Sequence, residues 1–144
     1  MILCLDIGGT AVKMGLLTRE GMLLRQKEAP VSFDRYATPM LTTVLKESAA
    51  FAAASEGTLE GVAVSATGQV DDRLGIIIGS NGTIPGYEGT PFASTLKEAF
   101  QVPVHVLNDA NAAALGEAFL GAARGCQDVL MVTLGTRSEE RRVG

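Results

Sequence analysis

The 144-residue sequence contains no tryptophan, and aromatic residues make up only 5% of it. Because proteins that hold single-stranded nucleic acid stack bases on aromatic side chains, this scarcity argues against such a surface. An excess of basic residues is also missing, since the net charge is −4, and phosphate backbones are bound mainly by lysine and arginine. We therefore expect no nucleic acid partner.

Long hydrophobic runs are absent as well. The apolar opening MILCLDIGG is short and lacks a basic leading segment, and nothing elsewhere approaches the roughly 20 apolar residues that a membrane-spanning helix needs. The only cysteines, Cys4 and Cys126, have neither CxxC spacing nor a nearby histidine. We expect free thiols in a cytoplasmic protein with no membrane partner.

What is present is material for one α/β unit, with 47% hydrophobic and 19% charged residues. Apolar periodicity predicts an opening antiparallel meander of three strands, at 2–6, 11–17 and 22–27. Further strands are predicted at 62–65, 76–78, 102–107 and 129–134, and helices at 38–53, from Thr90-Pro91 to Phe100, and at 110–123. Proline is expected at the first helical position, where its missing N–H costs nothing. The alternation of strands and helices favours parallel pairing through crossovers.

The first segment with chemical content is LDIGGTAVKMG. Asp6 ends a buried strand, and Gly8, Gly9 and Thr10 form a turn whose backbone N–H groups can approach an anion closely. Asp6 is placed to hold a hydrated Mg²⁺, whereas Thr10 and Lys13 are placed to contact phosphate. The alternative is a simple hairpin in which the two glycines supply positive φ and Asp6 caps the turn.

The second segment is VLNDANAAALGEAFLGAARG. Asn108 and Asp109 lie between a strand end and a helix start, where the helix dipole favours an ionised carboxylate. That placement suits a general base that orients an attacking hydroxyl and accepts its proton. The alternative is that these residues only cap the helix.

A third segment, residues 64–92, reads VSATGQVDDRLGIIIGSNGTIPGYEGTPF and places many glycines among polar side chains. Such a loop-rich surface can offer hydrogen-bond partners to a polyol, although the same composition is typical of ordinary turns.

Together these segments resemble the ROK family, which contains repressors, open reading frames and sugar kinases. The resemblance runs from Met1 to Thr136 and is carried in order by DIGGT with Lys13, SATGQVD, SNGTIPGYEGTPF, LNDANAAALGE and VTLGT. It implies an α/β fold of the RNase H-like, actin-like ATPase type that sugar kinases share with actin and Hsp70. Residues 1–136 are then the N-terminal lobe, with a mixed sheet and flanking helices.

The resemblance also implies a reaction: ATP-dependent phosphorylation of a hexose, an N-acetylhexosamine or a β-glucoside. Asp109 is implied as the general base, and the sugar-binding residues as Gly68, Ser80, Asn81 and Asn108. Asp6 is implied as the ligand of Mg²⁺, and the phosphate-binding residues as Gly8, Gly9, Thr10, Lys13, Gly135 and Thr136. The partners are a sugar and ATP, the complete protein is expected to be a homodimer, and a structural zinc is expected in the second lobe.

The C-terminal end departs from the family pattern. Further glycines should follow Gly135-Thr136, but Arg137 and Ser138 stand there, and no second lobe follows. The letters RSEERRVG also resemble one translation frame of a sequencing adapter. We therefore expect residues 137–144 to be non-native sequence on a truncated chain that is inactive alone; a genuine charged tail is the alternative.

Two other functions remain open: a sugar-sensing ROK transcriptional repressor, and a stand-alone lobe that acts as a binding module. ROK repressors carry a helix-turn-helix domain before the first phosphate motif, whereas here Met1 lies five residues before Asp6. Together with the intact Asp109 and DIGGT, this spacing favours the kinase.

Overall fold

The computed structural model describes residues 1–32 and 34–133. The chain divides into two compact units, Met1–Asn108 and Asp109–Gly144. The predicted phosphate residues Gly135 and Thr136 and the predicted non-native segment 137–144 lie outside the described residues.

Seven strands lie in the first unit: β1 (Ile2–Ile7), β2 (Ala11–Leu17), β3 (Leu23–Pro30), β4 (Gly61–Ala66), β5 (Gln69–Asp71), β6 (Ile76–Gly79) and β7 (Val104–Asn108). Five of them form one sheet in the order β3-β2-β1-β4-β7, and β5 pairs with β6 in a separate hairpin. The strands β1, β2 and β3 pair antiparallel, which confirms the predicted meander. The strands β1, β4 and β7 pair parallel, which confirms the predicted crossovers.

The crossover segments contain helices α1 (Met40–Ala53) and α2 (Phe92–Phe100). Alternate residues of the strands point to one side of the sheet, where Leu3, Leu5 and Ile7 are at most 2% exposed. Phe51 of α1 and Leu96 of α2 are buried in the same core. Burial of each such side chain contributes about 1.5–3 kcal/mol, so this layered core holds the strand ends in place.

Two predicted details differ in the structure. Pro91 was expected at the first position of α2, but it has ψ 68° and caps the helix, which begins at Phe92. The first turn of α2 is held in place by the Ala93 N–H, which donates to the Gly75 carbonyl at 3.1 Å. Strand β5 was not predicted, because Val70 is the only apolar residue among its three.

The second unit contains α3 (Asp109–Leu120), whose predicted bounds were 110–123. The strand predicted at 129–134 is wrong over residues 129–133, which form no regular structure. An apolar run becomes a strand only when another strand satisfies its backbone groups, and neither sheet of the described residues includes this run. Cys4 and Cys126 are both free thiols, as predicted. Over the described ranges, no helix combines the length and apolar character needed to cross a bilayer.

Candidate functional site

Asp6, Lys13 and Ser65 lie side by side at the carboxyl end of β1. Asp6 pairs with Lys13 across the antiparallel ladder and with Ser65 across the parallel one. Residues directly opposite each other in a ladder share a face of the sheet, here the face opposite the buried core. The Ser65 hydroxyl donates to Asp6 Oδ1 at 2.9 Å, which orients the carboxylate. Asp6 and Lys13 are exposed, so both charges are accessible.

Lys13 has a second acidic neighbour in the ladder, because it also pairs with Glu28 on β3. Its ammonium nevertheless forms no salt bridge with any residue that the structure describes. An exposed lysine that is flanked by carboxylates but forms a salt bridge with neither can bind an anion such as a phosphate.

The β1–β2 turn presents unbonded amides. The Gly8 N–H donates to the Ala11 carbonyl at 3.0 Å, and the Thr10 carbonyl accepts from the Val31 N–H at 2.9 Å. Within the described ranges the N–H groups of Gly9 and Thr10 make no hydrogen bond. Successive amide N–H groups of this kind form an anion-binding concavity. The turn therefore has the donors that a phosphate needs.

The alternative interpretation of this turn, a simple hairpin, is correct in that β1 and β2 pair antiparallel, but it fails on the conformation of the glycines. It required positive φ at Gly8 and Gly9, but neither glycine has it. A Cβ built on Gly8 would lie 3.4 Å from the Ala11 carbonyl oxygen, an ordinary contact. The fold itself therefore does not require a glycine at position 8.

The predicted sugar residues Gly68 and Asn108 lie together. The Asn108 side-chain amide donates to the Gly68 carbonyl at 2.8 Å, across 40 residues of sequence. Gly68 has φ +95°, and a Cβ there would lie 2.7 Å from the Gly79 carbonyl oxygen. The contact therefore ties the end of β7 to a sharp turn that admits only glycine.

Ser80 and Asn81 are engaged within their own loop. The Ser80 amide and hydroxyl both donate to Glu88 Oε1, at 2.8 and 3.1 Å. Asn81 Oδ1 accepts from the Thr83 amide and hydroxyl, at 3.2 and 2.7 Å. These bonds shape the loop after β6, and a role for Ser80 and Asn81 in sugar binding stays a prediction.

Asp109 is the first residue of α3, and its side chain is exposed. Its Oδ1 accepts from the Ala110 N–H at 2.8 Å, so one oxygen serves the helix start. This bond agrees with the capping alternative, and the same position also keeps an ionised carboxylate at the positive end of the helix dipole. A role as general base stays a prediction.

Sequence reasoning missed three residues of this region, namely Tyr36, Ser65 and Glu88. Ser65 was detectable in principle, because it is the last residue of the strand predicted at 62–65, and parallel strands end at the same edge of a sheet. Tyr36 donates its hydroxyl to the Gly9 carbonyl from a loop 27 residues away, and no local pattern points to that contact.

Comparison with known proteins identifies relatives of this chain. The sequence profile of the ROK family matches residues 2–137. A beta-glucoside kinase of Klebsiella pneumoniae is 36% identical over 94% of this chain and 43% of its own length. A glucokinase of Halalkalibacterium halodurans is 33% identical over 91% of this chain and 40% of its own. This chain thus spans less than half of each relative.

A solved structure of a ROK family member also matches this chain in its fold. The ROK family glucokinase from Streptomyces griseus, in complex with glucose and AMPPNP, matches with a TM-score of 0.71 at 28% identity. The match covers 86% of this chain and 38% of that one. The predicted actin-like ATPase fold is thereby confirmed.

Proposed function

The chain belongs to the ROK family, and from that premise we propose that it is the N-terminal lobe of an ATP-dependent sugar kinase. The acceptor would be a hydroxyl of a hexose, an N-acetylhexosamine or a β-glucoside. The observation that best supports this proposal is the row formed by Asp6, Lys13 and Ser65 beside a turn with unbonded amides.

On the nucleotide side, phosphate oxygens accept from the N–H groups of Gly9 and Thr10, and Lys13 balances their charge. The lack of a side chain at Gly8 lets the backbone come close to the phosphates. Further contacts are proposed for Gly135 and Thr136, which lie outside the described residues. Phosphoryl transfer depends mainly on such positioning and on electrostatic stabilisation.

Asp6 is the residue that would hold Mg²⁺, and its surroundings fit this ion. Mg²⁺ usually keeps several waters and uses one or two carboxylates together with substrate phosphates. Asp6 is an exposed carboxylate oriented by a single hydroxyl, and the described residues contain no cluster of three ligands that would form a closed protein cage. When bound, the ion neutralises charge that develops on the phosphates.

On the sugar side, Asn108 and Asn81 offer amide groups to hydroxyls, and the β5–β6 hairpin, which Gly68 precedes and Ser80 follows, lies beside the sugar ring. Asp109 orients the attacking hydroxyl and takes its proton as the new oxygen–phosphorus bond forms and the bond from the γ-phosphorus to the bridging oxygen breaks, which releases ADP. This assignment makes Asp109 the general base of the chemical step.

Ser65→Ala is expected to raise the Mg²⁺ concentration needed for half-maximal activity about tenfold in the complete protein, because groups that orient a metal ligand carry effects of that order. A metal titration at saturating ATP and sugar measures this. Ser94→Ala is the matched control, since among the described residues that hydroxyl donates to the Pro91 carbonyl at the start of α2 and contacts no predicted site residue. An unchanged metal requirement in Ser65→Ala would remove Ser65 from the site.

The proposed function is tested by coupled ADP release with ATP and a panel of sugars. We expect the complete protein to form ADP only when an acceptor sugar is present. We expect no turnover from the 144-residue chain alone, because nucleotide in this fold lies between two lobes. Sugar binding by the complete protein without any ADP formation would instead identify a ROK repressor.

A further inference from the structure

The loop between β3 and α1 holds the β1–β2 turn through two consecutive carbonyl groups. The hydroxyl of Tyr36 donates to the Gly9 carbonyl. The N–H of Val31 donates to the Thr10 carbonyl at 2.9 Å. One loop thus fixes both peptide units at the tip of the turn.

Fixing a carbonyl also fixes the amide of the same peptide unit. The peptide bonds of the described chain are all trans, and in a trans peptide the C=O and N–H groups point in opposite directions. Because the Gly9 carbonyl points at Tyr36, the Thr10 N–H must point away from it. This is one of the two N–H groups that make no hydrogen bond in the described part of the chain.

The backbone conformation of this loop places the Tyr36 hydroxyl at the Gly9 carbonyl. Arg35 and Tyr36 have φ values of 57° and 63°. This is the left-handed region of backbone conformation, which residues other than glycine, asparagine and aspartate seldom adopt. The conformation is held by Arg35 N–H donating to the Ser32 carbonyl at 3.0 Å and by Thr38 N–H donating to Asp34 Oδ2 at 2.8 Å. The Tyr36 ring also packs against the hydrophobic core. Ring and backbone are therefore held by contacts other than the hydrogen bond to Gly9.

We propose that Tyr36 is a positioning residue for nucleotide binding: its hydroxyl keeps the Gly9 carbonyl turned away from the phosphates and keeps the Thr10 N–H turned toward them. Without that bond the Gly9–Thr10 peptide can rotate, and a rotated peptide presents a partial negative charge to an anion. The inference rests on the proposed function, because it takes the β1–β2 turn as the phosphate-binding turn.

The test measures ATP affinity of the complete protein by calorimetry with Mg²⁺ present. Tyr36→Phe keeps the ring and removes only the hydroxyl, and we expect its Kd for ATP to rise about five- to tenfold, the effect of losing one neutral hydrogen bond. Tyr87→Phe is the matched control, because the Tyr87 hydroxyl also donates to a backbone carbonyl, that of Thr67, at 3.1 Å. Its Kd for ATP should stay unchanged, and the Kd for sugar should stay unchanged in Tyr36→Phe.

Thermal unfolding of both variants separates positioning from folding. If Tyr36→Phe does not fold, Tyr36→Asn is used instead: it adopts a left-handed backbone readily but loses the packing of the ring against the core, so its Kd for ATP is compared with its own Kd for sugar, and only a selective rise for ATP supports the inference. An unchanged Kd for ATP, an equal rise in both tyrosine variants, or a wild-type protein that binds no ATP would overturn the inference. Sugar-dependent ADP release by the wild-type protein is scored separately: its absence beside a selective loss of ATP affinity in Tyr36→Phe would refute the kinase and leave the positioning role intact.

Discussion

Asp109→Asn should lower kcat of the complete protein about 10²- to 10⁴-fold, the range for loss of a general acid or base, while sugar affinity stays close to that of the wild type. The asparagine keeps the size and the hydrogen-bonding oxygen of the side chain, so the Ala110 N–H at the start of α3 keeps its acceptor. What is lost is the negative charge that accepts the proton. Steady-state kinetics with separate sugar and ATP titrations measure both quantities.

The control for this charge change is Asp72→Asn, which neutralises an exposed aspartate in the β5–β6 turn. It should leave kcat within about twofold of wild type, since an isolated surface charge has little effect on chemistry. Near-normal turnover in Asp109→Asn would show that Asp109 only caps the helix, which is the alternative that its contact with Ala110 leaves open.

Gly68→Ala should destabilise the fold strongly, on the order of 2–4 kcal/mol in the free energy of unfolding. The backbone at Gly68 has φ +95°, and an added Cβ would lie 2.7 Å from a backbone oxygen, that of Gly79, which cannot move aside as a flexible side chain can. Any shift would also disturb the Gly68 carbonyl that accepts from Asn108. Urea denaturation followed by circular dichroism measures the loss.

Gly8→Ala is the matched substitution for this experiment. Its new Cβ meets only the Ala11 carbonyl oxygen at 3.4 Å, and its φ is not positive, so stability should change by less than about 0.5 kcal/mol. If Gly8 serves close approach of phosphate, the complete protein should still lose affinity for ATP. Equal stability losses in the two alanine variants would contradict this division between a structural glycine and a ligand-contacting one.

The strands and helices of the first unit could be predicted because their apolar residues repeat with clear periods. The antiparallel meander and the crossover strands were found in this way, within a few residues of their bounds. Strand β5 has too little apolar character to be recognised, and the run at 129–133 has enough but belongs to neither sheet in the described part of the chain. Local pattern therefore fails where pairing decides the outcome.

The residues of the site divide in the same way, into those that a local pattern reveals and those that only the assembled fold reveals. Asp6 and Asn108 were selected because acidic and amide residues at strand ends are visible in the sequence. Ser65 meets Asp6 across 59 residues, and Tyr36 meets Gly9 across 27, so these partners emerge only once the sheet is assembled. The sequence identified residues that carry charge, whereas the fold identifies the residues that orient them.

The central claim is that this lobe belongs to an enzyme that moves a phosphoryl group from ATP to a sugar. The most direct measurement gives the complete protein ATP labelled in the γ-phosphate, together with glucose, N-acetylmannosamine or a β-glucoside, and follows the label. We predict that the label appears in a sugar phosphate ester and that Asp109→Asn abolishes nearly all of this transfer. Label that remains in ATP while sugar is bound, or that appears only as inorganic phosphate, would contradict the claim.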